Sequence, residues 1–213
     1  ENDIIIKVLK NISIKQKLKI KITKNIPWKA GLGSGSTDAA SLIKGLQKLG
    51  LINDINNSFL YTIGADVPVC YYSKNCLTTN FGEKINADIK FPKYYFVLVL
   101  PKIQLSTTKM YSKIKQYMKF DNENFKQISL LKTLQEDDIG NDFEKIIKEE
   151  NKEILDVLYF LSSLKDNLFS RMSGSGSCCY ATFISKKDAI KAFELTLKKY
   201  KNYWVYLTEN NND

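Results

Sequence analysis

A chain of 213 residues, 44% hydrophobic and 26% charged, can bury one large core or two small ones. Its net charge of +9 rests on lysine, Arg171 being the single arginine, so a dedicated reader of bases and phosphates is disfavoured while a diffuse positive field suits an anionic small substrate. No run approaches the roughly 20 apolar residues of a membrane span, no signal-peptide pattern opens the chain, and the absence of histidine removes Ser-His-Asp and Cys-His nucleophiles and the usual zinc sites.

In chain order, residues 4–12 read as the end of an apolar helix or as a strand. Leu18, Ile20 and Ile22 alternate with Lys17, Lys19 and Lys21, which predicts a half-buried strand. A glycine stretch, "PWKAGLGSGSTDAA" from Pro27 to Ala40, follows. Then Ala39, Ala40, Leu42, Ile43, Leu46 and Leu49 recur at helical spacing up to Gly50, a C-terminal cap. A second short helix is expected over 54–63, running into "IGADVP". Short strands are expected around Val69–Tyr72 and Cys76–Asn80, with a turn at 81–83. The apolar run Tyr94–Leu100 predicts a buried strand. Helices are expected at 107–118, 141–149 and 153–164. "RMSGSGSCCYATF", Arg171 to Phe183, reads as strand, glycine turn, strand, followed by helix 187–200 and a last strand near Tyr203–Leu207. The asparagine-rich stretch 120–127 and the end 210–213 read as loop and tail. Cys70, Cys76, Cys178 and Cys179 form no Cys-x-x-Cys pair and read as reduced thiols of a cytoplasmic protein. The class is α+β with two small domains, 1–90 and 91–213.

The glycine stretch joins the expected strand to a helix start. Backbone amides freed by glycine make an anion-binding concavity, and the helix N-terminus adds its positive dipole end. Ser34, Ser36 and Thr37 can donate hydroxyl bonds to the same oxygens, and Lys29 can add a full charge. The plainer alternative is a tight turn into a helix capped by Ser36, with Asp38 facing the dipole. A cap needs one such residue, not three alternating glycines, so a phosphate cradle is favoured. Two well-known phosphate loops are excluded, because Ser36 stands where a Walker loop needs lysine and where the dinucleotide fingerprint needs its last glycine.

The stretch resembles the Pro-x-x-x-Gly-Leu-Gly-Ser/Gly-Ser/Gly loop of the GHMP superfamily of small-molecule kinases, which includes galactokinase, homoserine, mevalonate and phosphomevalonate kinases. Within it, Gly31–Ala40, the string Gly64-Ala65-Asp66-Val67-Pro68 and the late loop Ser173-Gly174-Ser175-Gly176 resemble, in that order, the 4-diphosphocytidyl-2-C-methylerythritol kinase family. The resemblance implies a two-domain fold, an N-terminal ATP-loop domain and a ferredoxin-like C-terminal domain. It further implies ATP with Mg2+ and transfer of the γ-phosphoryl to the 2-hydroxyl of a cytidine-diphosphate-linked methylerythritol, a step of non-mevalonate isoprenoid synthesis. The partner is then that small molecule, with no nucleic acid and no membrane.

By the same resemblance Asp66 is the proton acceptor. Pro27, Lys29, Ala30, Gly31, Leu32, Gly33, Ser34, Gly35, Ser36 and Thr37 line ATP. Ala65, Thr107, Tyr111, Gly174, Ser175 and Gly176 contact the acceptor, the last three closing the site from the second domain. Two departures stand out: Lys29 and Asn80 each replace a usual glycine. The family's opening Lys-x-Asn-Leu and Asp-Gly-Tyr-His segments have no counterpart here. The first domain is therefore expected to be incomplete at its start, lacking the lysine beside Asp66 and the cytosine-binding residues, and the isolated chain is expected to be poorly soluble. Another kinase of the superfamily, of homoserine or mevalonate type, a non-catalytic nucleotide-binding protein and a basic RNA-binding module are the competing readings.

Overall fold

The computed structural model describes residues 3–79, 82, 84–86, 92–114 and 140–210. These fall into two compact units, one holding the described residues of 3–26 and 33–86, the other 27–32 with those of 92–210.

The first unit has four helices, α1 (Ile4–Asn11), α2 (Ser34–Lys48), α3 (Asn57–Ile63) and α4 (Val67–Tyr72), and an antiparallel pair, β1 (Leu77–Thr79) and β2 (Lys84–Asn86). The first apolar stretch is thus a helix. The Asp3 carboxylate accepts a bond from the Ile5 amide at 2.8 Å, supplying the cap that starts it. Val8, Ala39, Ile43, Leu60, Ile63 and Val67 make the core of this unit. Helix α2 ends in a Schellman motif, with Gly50 left-handed, its amide on the Gln47 carbonyl at 2.8 Å and the Leu51 amide on Leu46 at 3.0 Å.

Two expectations fail here. Leu18–Ile22 forms no ladder with any described residue, and Leu18, Ile20 and Ile22 stay 38%, 38% and 42% exposed. Alternation permits a strand, but only a hydrogen-bonding neighbour makes one. Val69–Tyr72 is helical, not extended. Pro68 sits in the first turn of α4, where its missing N–H costs no helical bond, and Val67 and Pro68 are buried. The Tyr71 hydroxyl then donates to Gln47 Oε1 at 2.7 Å, tying α4 to α2. Packing here overrides the β-propensity of a Val-Cys-Tyr-Tyr run.

The second unit runs β3 (Tyr95–Leu100), α5 (Thr107–Lys113), α6 (Asp142–Glu150), α7 (Lys152–Ser162), β4 (Phe169–Met172), β5 (Cys179–Phe183), α8 (Lys186–Lys199) and β6 (Trp204–Glu209). Its sheet is antiparallel throughout with order β4-β5-β3-β6. Strand, helices, two strands, helix, strand in that order is the ferredoxin-like arrangement, and the two-domain α+β expectation holds. Strand β3 is central, with Val97 opposite Ala181 on one side and Leu207 on the other. Val97 and Val99 pack with Ile147, Ile154, Leu161 and Phe183 to form the core under α6, α7 and α8. Asn141, Asn151 and Ser185 each cap the helix that follows them.

Residues 115–118 of the expected helix, the stretch 120–127, Asn80 and residues 211–213 lie outside the described residues. All four cysteines are free thiols, Cys178 and Cys179 fully buried. Among the described residues no helix is long and apolar enough to cross a membrane.

Candidate active site

In the first unit the expected site residues sit mainly at two helix starts. Gly33 is the N-cap of α2 in the left-handed region, φ 63°, and among the described residues no side chain caps the helix. Ser36, the cap of the plainer alternative, lies inside the first turn instead. The first amides of a 15-residue helix are therefore left without a side-chain acceptor, beside the half-buried Ser34, Gly35 and Ser36. Thr37 is differently engaged. Its hydroxyl donates to the Gly33 carbonyl at 3.1 Å and lies 3.5 Å from Cys70 Sγ. Asp38 pairs with Lys24.

Asp66 is the N-cap residue of α4 but makes no capping bond. It is exposed, and among the described residues its carboxylate has no hydrogen-bond or ion-pair partner, lysine included. Its charge still reaches Cys70, one turn along α4. Burial pushes the Cys70 thiol up, the Thr37 contact pulls it down, and the Asp66 charge pushes it up again. Gly82, at φ 100°, passes so close to Ala65 that a Cβ there would stand 2.8 Å from the Ala65 carbonyl oxygen. The sequence marks Gly82 only as a turn; its approach to the residue before Asp66 is a tertiary fact.

In the second unit the start of the glycine stretch packs on the late glycine loop. The Cys178 amide donates to the Ala30 carbonyl at 3.1 Å, and Ser173 Oγ donates to the Gly31 carbonyl at 2.8 Å. A Cβ on Gly31 would lie 2.4 Å from the Ser173 oxygen and 2.7 Å from that of Gly176. Glycine at 31 therefore answers to backbone packing between the two loops. Ser175 Oγ is 3.0 Å from Thr107 Oγ1, which opens α5. The exposed ring of Tyr111 meets Phe143 edge-on at 5.0 Å. The Lys29 ammonium lies 4.5 Å over the Trp28 ring. Pro27, Trp28 and Lys29 line a hollow of about 280 Å³ with Pro101, Lys102 and Trp204. Leu32 is half-buried at the end of this segment.

Two residues that sequence reasoning passed over hold the late loop. Asn141 Nδ2 donates to the Met172 carbonyl at 2.9 Å and to the Gly174 carbonyl at 2.8 Å. The buried Glu144 carboxylate accepts from the Met172 amide. An asparagine before an acidic first turn announces a helix cap, but nothing local announces which carbonyls its amide will reach. Among the described residues no group of three or more His, Cys, Asp or Glu could hold a metal ion.

Comparison with known proteins bears on the fold and the family. Residues 3–74 match the model of the GHMP kinases N terminal domain, and residues 113–201 that of the GHMP kinases C terminal domain. The 4-diphosphocytidyl-2-C-methyl-D-erythritol kinase of Wolbachia sp. subsp. Drosophila simulans (strain wRi) is 36% identical over 209 residues, 95% of this chain and 71% of that protein. The enzyme of the same name from Clostridium tetani (strain Massachusetts / E88) is 31% identical over 92% of this chain and 72% of its own length. A crystal structure of 4-(cytidine 5'-diphospho)-2C-methyl-D-erythritol kinase superposes with a TM-score of 0.73 at 23% identity, over 88% of this chain and 69% of that one. Homoserine kinase from Cytophaga hutchinsonii superposes at 0.66 and 19% identity, over 99% and 75%. The fold is common to both kinases, whereas sequence identity at this level and coverage separates them: the chain belongs to the 4-diphosphocytidyl-2-C-methyl-D-erythritol kinase family of GHMP kinases.

Proposed function

We propose that this chain uses ATP to phosphorylate the 2-hydroxyl of 4-diphosphocytidyl-2-C-methyl-D-erythritol, a cytoplasmic step in non-mevalonate isoprenoid precursor synthesis. Its partner is that small molecule rather than a nucleic acid or a membrane. Residues 1–90 and 91–213 are its two domains. The observation that carries the reading is the presence, in one unit, of an α2 N-terminus at Gly33 and a carboxylate, Asp66, that both lack a side-chain partner among the described residues.

An uncapped helix start with left-handed Gly33 and the hydroxyls of Ser34 and Ser36 fits a polyphosphate. In the proposed mechanism these amides and hydroxyls orient the phosphates and Asp66 accepts the proton of the acceptor hydroxyl. Phosphoryl transfer depends chiefly on positioning and charge stabilisation, so one such carboxylate suffices. ATP, when bound, supplies the transferred γ-phosphoryl group. Mg2+ would accompany the bound ATP. Pro27, Lys29, Ala30, Gly31, Leu32, Gly35 and Thr37 complete the ATP-lining set, and Ala65, Thr107, Tyr111, Gly174, Ser175 and Gly176 serve the acceptor.

The test is ADP release from Mg-ATP with the methylerythritol acceptor, for this chain and for the full reading frame containing it. ADP release should require the acceptor and fall by about 10²–10⁴-fold in Asp66→Asn. ATP binding without acceptor-dependent turnover in either protein would favour a non-catalytic nucleotide-binding role. Faster turnover with homoserine or mevalonate would assign a different acceptor.

A further inference from the structure

We propose that Asn141 is a positioning residue for the glycine loop at 173–177, an inference that rests on reading that loop as part of the acceptor site. Asn141 immediately precedes α6, and its Oδ1 accepts from the Phe143 amide at 2.9 Å. That bond fixes the carboxamide plane and so aims both Nδ2 hydrogens. They go to the carbonyls of Met172 and Gly174, at 2.9 and 2.8 Å, which bracket Ser173. Ser173 in turn donates through Oγ to Gly31, and its carbonyl accepts the Gly176 amide at 2.9 Å. One side chain therefore sets the arch that carries Ser173 onto Gly31 and Ser175 onto Thr107.

Glu144, on the same helix, completes the hold. Its carboxylate takes the Met172 amide while Asn141 takes the Met172 carbonyl, so α6 grips both backbone groups of the last residue of β4. The helix is anchored by the buried Phe143 and Ile147. Capping alone does not explain asparagine at 141, since Asp or Ser caps a helix about as well. Only a carboxamide offers one acceptor and two donors from a single short side chain.

That difference yields the experiment, on the full chain. Asn141→Asp keeps the cap but turns a carboxylate toward two carbonyls; Asn141→Ser keeps the cap and drops both donors without adding charge. The readouts are amide hydrogen exchange at Gly176 and Cys178, and calorimetric affinity for the methylerythritol acceptor, with Ser175→Ala as reference. Both Asn141 variants should keep wild-type protection in β3 and α7, exchange Gly176 and Cys178 at least about tenfold faster, and lose about tenfold in acceptor affinity. Asn141→Asp alone should recover part of both on acidification to about pH 5. A carboxyl facing carbonyls protonates above its usual value of about 3.9 and then donates one bond. Unchanged exchange in both variants overturns the proposal. So does faster exchange with unchanged acceptor affinity where Ser175→Ala weakens it. If Ser175→Ala itself leaves acceptor affinity intact, the reading of the loop as an acceptor site fails, and hydrogen exchange alone then decides whether Asn141 holds the loop.

Discussion

Ser173 Oγ donates to the carbonyl of Gly31 at 2.8 Å across 142 residues of sequence, and the same two residues approach so closely that no side chain fits at 31. Gly31→Ala combines a Cβ placed 2.4 Å from a backbone oxygen with a φ of +72°. It should destabilise the protein by about 2–4 kcal/mol, as cavity-free clashes with backbone and left-handed strain do together. Ser173→Ala, which removes only the hydrogen bond, should cost about 1 kcal/mol. Urea denaturation of both variants checks the order; equal costs would mean that the loops can part without penalty.

Gly33 offers the contrasting case. It is also left-handed, at φ +63°, but a Cβ there meets nothing nearer than Cys70 Sγ at 3.9 Å. Gly33→Ala should therefore cost only the intrinsic strain, about 1–2 kcal/mol. Its larger effect should fall on Mg-ATP affinity, since the tilt of the first α2 amides depends on that conformation. Titration calorimetry beside a melting curve separates the two; a fall in stability with unchanged ATP affinity would remove Gly33 from the phosphate site.

Burial pushes the Cys178 thiol up to about 12 from an ordinary 9.0, and the Tyr180 hydroxyl up to about 12 from 10.0. A raised folded-state value means the native protein holds its proton where the unfolded chain has released it. Stability from these groups is thus complete below pH 9.0 and is lost as pH rises from there toward about 12. The slope is up to about 1.4 kcal/mol per pH unit for each group. Urea midpoints should be flat from neutral pH to about 9 and then decline. In the native state, thiol reagents should label the half-buried Cys70 and Cys76 and spare Cys178 and Cys179. Rapid native labelling of Cys178 would contradict the buried placement.

Much of this protein was legible in its residues because the information was local. The helical spacing of Ala39, Ala40, Ile43 and Leu46, the glycine at 50, the apolar run of β3 and the Arg171–Phe183 hairpin each follow from short-range periodicity or backbone preference. Three ordered motifs were enough to indicate the family. Where the local signal was weak or ambiguous, neighbours decided. Lys-apolar alternation at 17–22 had the period of a strand, yet its described surroundings provide no ladder, and the β-rich run Val69–Tyr72 became helix once Pro68 and α2 set its frame.

The candidate site divides along the same line. The residue types of the proposed site could be read from the sequence: a glycine-rich helix start proposed to meet phosphate and an aspartate proposed to take a proton. Their individual duties could not. Gly31 serves contact with a loop 142 residues away, Thr37 gives its hydroxyl to Gly33, Gly82 yields space to Ala65, and Asn141 reaches past its own helix to Met172 and Gly174. Apart from the local Thr37–Gly33 bond, each is a long-range contact. Only packing the cores fixes such distances, because side-chain hydrogen bonds over a few ångströms leave no periodic trace in the chain that makes them.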